Sequence, residues 1–216
     1  VLLVLAEKGH TAELVQVDLP TGEHLRSAHL MRHPFGKIPV LEQDDFVLYE
    51  STAIMRYLDE TLPGLALTPG AARERARVDQ LLSVETAYLA PAVGTLTAQL
   101  VTRPQFGVRP DPIEVSQARG DVSETLDVLE RALHNPESGA FLAGTLFSLA
   151  DIAFMPSVQF LIEAGQSDLI QARPHLALWW HAVRARPPLQ KVLGHAEPTR
   201  LQRRLRAVSS RLAEAL

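Results

Sequence analysis

The chain has 216 residues, 46% of them hydrophobic and 21% charged, with a mean hydropathy of +0.03. This composition suits one or two compact soluble units with a real core and excludes a disordered chain. A net charge of −4 offers no basic field for nucleic acid, and the absence of cysteine excludes disulfides, thiolate metal sites and a cysteine nucleophile within these residues. No apolar run is long enough to span a bilayer, and the cysteine-free composition fits a cytoplasmic location, which is the expectation.

In chain order, Val1 to Gly9 carries Val1, Leu2, Val4, Leu5 and Ala6 at helical spacing, with Gly9 as a C-terminal stop. Glu13 to Asp18 alternates polar and apolar residues, the period of a half-buried strand, and Leu19-Pro20-Thr21-Gly22 closes it with turn chemistry. Ile38 to Leu41 and Phe46 to Leu48, on either side of Gln43-Asp44-Asp45, read as a β-hairpin. A helix from about Ser51 to Glu60 follows, with Ile54, Tyr57 and Leu58 on one face.

At Leu62-Pro63-Gly64-Leu65 the composition changes. The first 65 residues hold 5 basic and 10 acidic side chains, the remainder 16 and 15, and this break marks a linker between domains 1–62 and 70–216. Everything beyond it reads helical: Val78 through Leu100, then Val122, Leu126, Leu129 and Leu133, a helix starting near Ser148, and another holding Leu176 to Val183. Thr199 to Leu216 carries five arginines against one glutamate, with Leu201, Leu205, Val208 and Leu212 on one helical face. It reads as an amphipathic helix packing on the domain or on a partner.

Two segments carry chemistry. In Pro34-Phe35-Gly36-Lys37-Ile38-Pro39-Val40-Leu41, a proline at a strand entrance makes a turn or a cis bond. A cis Ile38-Pro39 bond would free the Ile38 backbone to pair with an extended peptide ligand; the alternative is a simple loop before an edge strand. In Tyr49-Glu50-Ser51-Thr52, Ser51 is a natural N-cap at a helix end that suits a carboxylate, and Glu50 could hold an ammonium. A plain capping serine beside a solvated glutamate is the competing reading.

Gly22-Glu23-His24, His33-Pro34-Phe35-Gly36-Lys37-Ile38-Pro39-Val40-Leu41 and Leu48-Tyr49-Glu50-Ser51-Thr52-Ala53-Ile54 stand in an order and spacing that resemble the glutathione-binding domain of the glutathione S-transferases, most closely the phi class. Phe141 to Ile152 resembles the capping motif of the family's helical domain, where Ser148 and Asp151 make a reciprocal box, and Arg173-Pro174-His175-Leu176 with Trp179 and Arg186-Pro187 resembles its late helix. The resemblance implies an α/β thioredoxin-like domain followed by an all-α domain. It places Lys37 and His24 at the glycyl carboxylate of glutathione, Ile38 with Pro39 at the cysteinyl backbone, and Glu50 and Ser51 at the γ-glutamyl end. Leu25 stands where the class usually has lysine, which removes one donor, and His33 replaces the usual asparagine as a tolerated turn change. His29 and His175 are expected on helix surfaces or at caps rather than on a metal, so no metal is expected.

In the family the catalytic serine, tyrosine or cysteine lies at the end of the first strand. Val1 to Gly9 resembles the helix after it, so that strand and residue are expected upstream of Val1. The implied activity is conjugation of glutathione, a co-substrate rather than a permanently bound cofactor, to small hydrophobic electrophiles in detoxification. The electrophile is expected in an apolar pocket near Tyr88, Leu89 and Ala92. Alternatives on the same fold are a glutathione-dependent peroxidase, dehalogenase or isomerase, a thiol transferase, or a non-catalytic ligand-binding homologue. A homodimer is expected, with neither nucleic acid nor membrane as partner.

Overall fold

The computed structural model describes residues 1–134 and 139–195. The chain opens with helix α1 (Leu2–Glu7), stopped at Gly9, where φ is +76°. Its buried Leu3, Val4 and Leu5 face inward. Residues 10–18 hold no regular structure, so the strand expected over Glu13 to Asp18 does not form. Leu14 and Val15 are 69% and 81% exposed. Alternation becomes a strand only against a ladder partner and a surface to bury, and among the described residues the sheet has two strands, neither of which pairs with this segment.

Two single turns, Leu19–Thr21 and Glu23–Leu25, lead to a short helix α2 (Ser27–Leu30). The expected hairpin forms: β1 (Val40–Gln43) pairs antiparallel with β2 (Phe46–Tyr49), in a register that sets Val40 opposite Tyr49. Helix α3 (Ser51–Thr61) starts directly after it and buries Ile54, Met55 and Leu58.

Residues 62–71 then cross to a helical array. Helices α4 (Ala72–Val84), α5 (Ala90–Thr97) and α6 (Arg103–Gln105) run as one rod, interrupted by wider turns at Glu85–Leu89 and Ala98–Thr102. The rod is followed by α7 (Pro112–His134), α8 (Leu149–Glu163), α9 (Asp168–Gln171), α10 (Pro174–Arg184) and α11 (Pro187–His195). Val78, Leu89, Leu96, Val122, Leu126, Leu129, Ile152, Phe154, Leu161 and Trp179 are fully or almost fully buried and form one core. No described helix is long and apolar enough to cross a membrane. The segment Thr199 to Leu216 lies outside the described residues.

Polar staples brace the α/β part and join it to the helices. Lys8 and Asp59, with side chains 2% and 4% exposed, pair at 2.9 Å, and the same ammonium donates to the carbonyls of Asp59 and Leu65. Gly64, at φ +114°, passes so close that a Cβ there would lie 3.0 Å from the Lys8 carbonyl oxygen. Glu7 takes both Nε and Nη2 of Arg186, whose guanidinium stacks 3.8 Å over the Phe147 ring. Arg56 of α3 pairs with Asp79 of α4.

Ser148 and Asp151 form the expected capping box at the start of α8. Asp151 is fully buried, and it also accepts from the Leu142 N–H at 3.0 Å and the Trp179 indole N–H at 2.8 Å. His175 sits in the first turn of α10, half-buried, with its ring Nδ1 2.7 Å from Glu130.

Candidate functional site

The hairpin register brings the two predicted binding segments together. Because Val40 lies opposite Tyr49, the residues before β1 and those after β2 share the open end of the hairpin, about one strand spacing apart. Ile38 and Pro39 are on one side, Glu50 and Ser51 on the other. The Ile38–Pro39 peptide is cis. Ile38 is 51% exposed, and its N–H and C=O have no hydrogen-bond partner among the described residues. An exposed, unpaired backbone of this kind is an open place for one more strand.

Glu50, not Ser51, occupies the cap position of α3; Ser51 is its first helical residue. Glu50 has φ +69° and ψ +115°, a region that a residue with a Cβ adopts at a cost of about 1–3 kcal/mol. The sequence carries no sign of this conformation. It turns the chain from β2 into the helix within one residue and leaves both Glu50 and Ser51 exposed beside the free amides of the helix N-terminus.

Lys37 is exposed one residue from Ile38. His24 lies in the turn Glu23–Leu25, and Gly36, at φ +59°, packs against it: a Cβ there would meet the His24 carbonyl oxygen at 2.9 Å. The close approach that only glycine permits therefore holds His24 beside the Lys37–Pro39 loop. Two histidines depart from expectation. His29 is buried rather than on the helix surface, because its ring nitrogen bonds the Lys37 carbonyl at 2.8 Å. His33, read as a tolerated turn change, is 2% exposed and sits 4.8 Å from the Tyr49 ring, centroid to centroid.

Between the two parts of the molecule lies a cleft of about 470 Å³, a size suited to a small organic ligand. Val1 and Leu3 of the first helical stretch, Ser51, Thr52 and Met55 of α3, Val93 and Thr97 of α5, and Ile152, Pro156 and Phe160 of α8 line it. Tyr88, Leu89 and Ala92 do not. Tyr88 is 65% exposed, while Leu89 and Ala92 turn into the core. The wider helical turn at Glu85–Leu89 rotates the rod so that Glu85, Ala90 and Val93 meet the cleft instead. Thr97 Oγ1 is buried there without a hydrogen-bond partner among the described residues.

Glu85 is the cleft's carboxyl group. Burial pushes its pKa above the usual glutamate range, and the Ser157 hydroxyl, donating to Oε1 at 2.7 Å, pulls partly back. A raised folded-state pKa contributes stability that is present in acid and lost as pH rises through it. Glu85→Gln, which never ionises, is therefore expected to melt about a degree or two above the wild type at pH 7.5, with the gain vanishing toward pH 4. Parallel thermal melts at the two pH values check this.

The architecture is a thioredoxin-like unit with a small sheet, followed by an all-helical unit. The glutathione S-transferase N-terminal domain family matches residues 1–60, and the glutathione S-transferase C-terminal domain family matches residues 89–187. Among curated relatives, glutathione S-transferase F10 of Arabidopsis thaliana is 37% identical over 194 residues, covering 88% of this chain and 89% of its own. Among solved structures, glutathione transferase F7 from Populus trichocarpa superposes with a TM-score of 0.82 at 34% identity, over 89% of this chain and 91% of its own. Maize glutathione S-transferase I, solved in complex with an atrazine glutathione conjugate, gives a TM-score of 0.81 at 30% identity, over 91% of both chains. The chain belongs to the glutathione S-transferase family, on its phi-class branch.

Proposed function

We propose that the protein conjugates glutathione to small apolar electrophiles, with the tripeptide at the open end of the hairpin. The observation that carries this reading is the exposed, unpaired Ile38 backbone facing a helix N-terminus across the hairpin mouth. A tripeptide laid along Ile38 as an added strand receives two backbone hydrogen bonds at its cysteinyl residue. Its γ-glutamyl carboxylate meets Ser51 and the amides of the α3 N-terminus, its ammonium meets Glu50, and its glycyl carboxylate meets Lys37 and His24. The N-terminal part carries more acidic than basic side chains, so this anion is held by local donors rather than by an overall field.

The cleft supplies the second half of the reaction. Its apolar walls desolvate an electrophile, and Ser51 and Thr52 line its edge, so a thiol held at Ile38 and an electrophile in the cleft are neighbours. This chain's residues bind and orient; holding the two reactants together converts a bimolecular encounter into a local one. Glutathione is a co-substrate. Detoxification in the cytoplasm by a homodimer is the biological setting that this chemistry suits.

The test is retention on immobilised glutathione followed by turnover of chlorodinitrobenzene. Wild-type protein is expected to bind and turn over, and Ser51→Ala to weaken glutathione binding on the order of tenfold. Retention without turnover would favour a binding module, and absence of retention would refute the site.

A further inference from the structure

Behind the two ligand-facing segments lies a pair of buried imidazoles. His29, in α2, is 7% exposed, and His33, one helical turn later, is 2% exposed. The i, i+4 spacing puts the rings on one face, where they stack with planes 13° apart and centroids 6.4 Å apart. His29 reaches the Lys37 carbonyl at 2.8 Å through Nε2. A carbonyl only accepts, so this contact places the ring proton on Nε2.

His33 is tied to the same structure by its backbone. Its N–H donates to the His29 carbonyl and its C=O accepts from the Gly36 N–H, both at 2.9 Å. Its ring lies against Tyr49, the residue before Glu50. The pair therefore touches the residue preceding Ile38 on one side and the residue preceding Glu50 on the other. The ring hydrogen bond of the pair is His29's: its buried nitrogen is used on Lys37, whereas His33 Nδ1 is buried with no hydrogen-bond partner among the described residues and its ring serves as packing.

We propose that His29, backed by the His33 ring, is a positioning residue for the glutathione site. By holding the Lys37 carbonyl, it fixes the Ile38 backbone at the distance from Glu50 and Ser51 that one extended tripeptide can bridge. This rests on the reading that glutathione binds at the hairpin mouth. His29 touches neither reactant; it acts through Lys37 and Ile38. Losing its hydrogen bond costs affinity for the tripeptide, whereas the cleft, whose lining includes neither histidine nor the Lys37–Pro39 loop, keeps its affinity for the electrophile.

Steady-state kinetics with glutathione and chlorodinitrobenzene test the proposal. His29→Phe, which keeps a planar ring and removes the donor, is expected to raise KM for glutathione on the order of tenfold. It should change kcat at saturating glutathione, and KM for the halide, by less than about twofold. His29→Gln, which keeps an N–H donor, is expected to recover most of the loss. An unchanged glutathione KM in His29→Phe, an equal rise in both KM values, or a glutamine variant no better than phenylalanine would overturn the proposal.

If His29→Phe does not fold, nitrogen-detected NMR of the wild-type histidines decides. An Nε2–H tautomer of His29 whose resonance moves on saturation with glutathione supports the role, and an Nδ1–H tautomer or an indifferent resonance overturns it. A wild type that neither binds nor turns over glutathione defeats the parent reading. That outcome is distinct from a wild type that binds normally beside an unaffected His29→Phe.

Discussion

Asp151→Ala is expected to cost about 3–5 kcal/mol of stability and to lower the melting temperature by about 10 °C for a chain of this size. Asp151 is fully buried and accepts four hydrogen bonds: from the backbone N–H groups of Leu142 and Ser148, the Ser148 hydroxyl and the Trp179 indole. Burial pushes its pKa up, while these donors pull it back toward the charged form. Four donors aimed at two oxygens require an acceptor on both. Alanine strands all four donors, and asparagine turns an NH2 group toward two of them, so Asp151→Asn is expected to be nearly as damaging.

Asp151 joins the loop at Leu142, the start of α8 and the indole of α10. Its loss loosens three elements at once. Thermal melts combined with glutathione KM check the role. Folded variant should keep a near-normal KM, and a variant with wild-type melting but no activity would assign Asp151 to the chemistry instead.

The second large effect is at the junction between the two parts of the molecule. Asp59→Ala leaves the Lys8 ammonium buried with only the Asp59 and Leu65 carbonyls, and removes the acceptor of the Leu67 N–H. Breaking one side of a buried pair costs about 3–5 kcal/mol. The Leu67 carbonyl in turn accepts from the Leu149 N–H at the head of α8, so the damage reaches the helix that lines the cleft. Because the penalty is mostly an unpaired charge, the double variant Lys8→Met with Asp59→Leu is expected to recover much of it. A denaturant-based double-mutant cycle measures this, with an expected coupling of at least about 2 kcal/mol; strict additivity would show that the pair is not a unit.

Those two sites also show what the sequence could disclose. The Ser148–Asp151 box follows from local spacing and was legible in full. So were the hairpin and the helix faces of Ile54 and Leu58 or of Val122, Leu126 and Leu129, since each depends on residues a few positions apart. The Lys8–Asp59 staple joins residues 51 positions apart, and no pattern in the chain pairs them. The strand expected at Glu13 to Asp18 shows the reverse limit, because alternation is local and a ladder partner is not.

The candidate site divides in the same way. Ile38, Pro39, Glu50 and Ser51 are marked by motif, and the hairpin register brings them together. The backward turn at Glu50 and the buried His29 carry no local signal. Tyr88 and Leu89 lie on the apolar rod where the sequence points, but the wider turn beginning at Glu85 shifts the helix phase, so that a regular 3.6-residue reading picks the wrong face. Glu85, an acid in an apolar cleft, belongs to the residues that such a reading passes over.

The proposed glutathione site is the open end of the hairpin, between the Ile38 backbone and the start of α3. The most direct measurement is a titration of reduced glutathione into isotope-labelled protein, followed at the backbone amides. The amides of Ile38, Glu50 and Ser51 are expected to shift together and saturate with a single dissociation constant. Saturable shifts confined to the cleft wall around Val93 to Thr97, with those three amides unmoved, would contradict it.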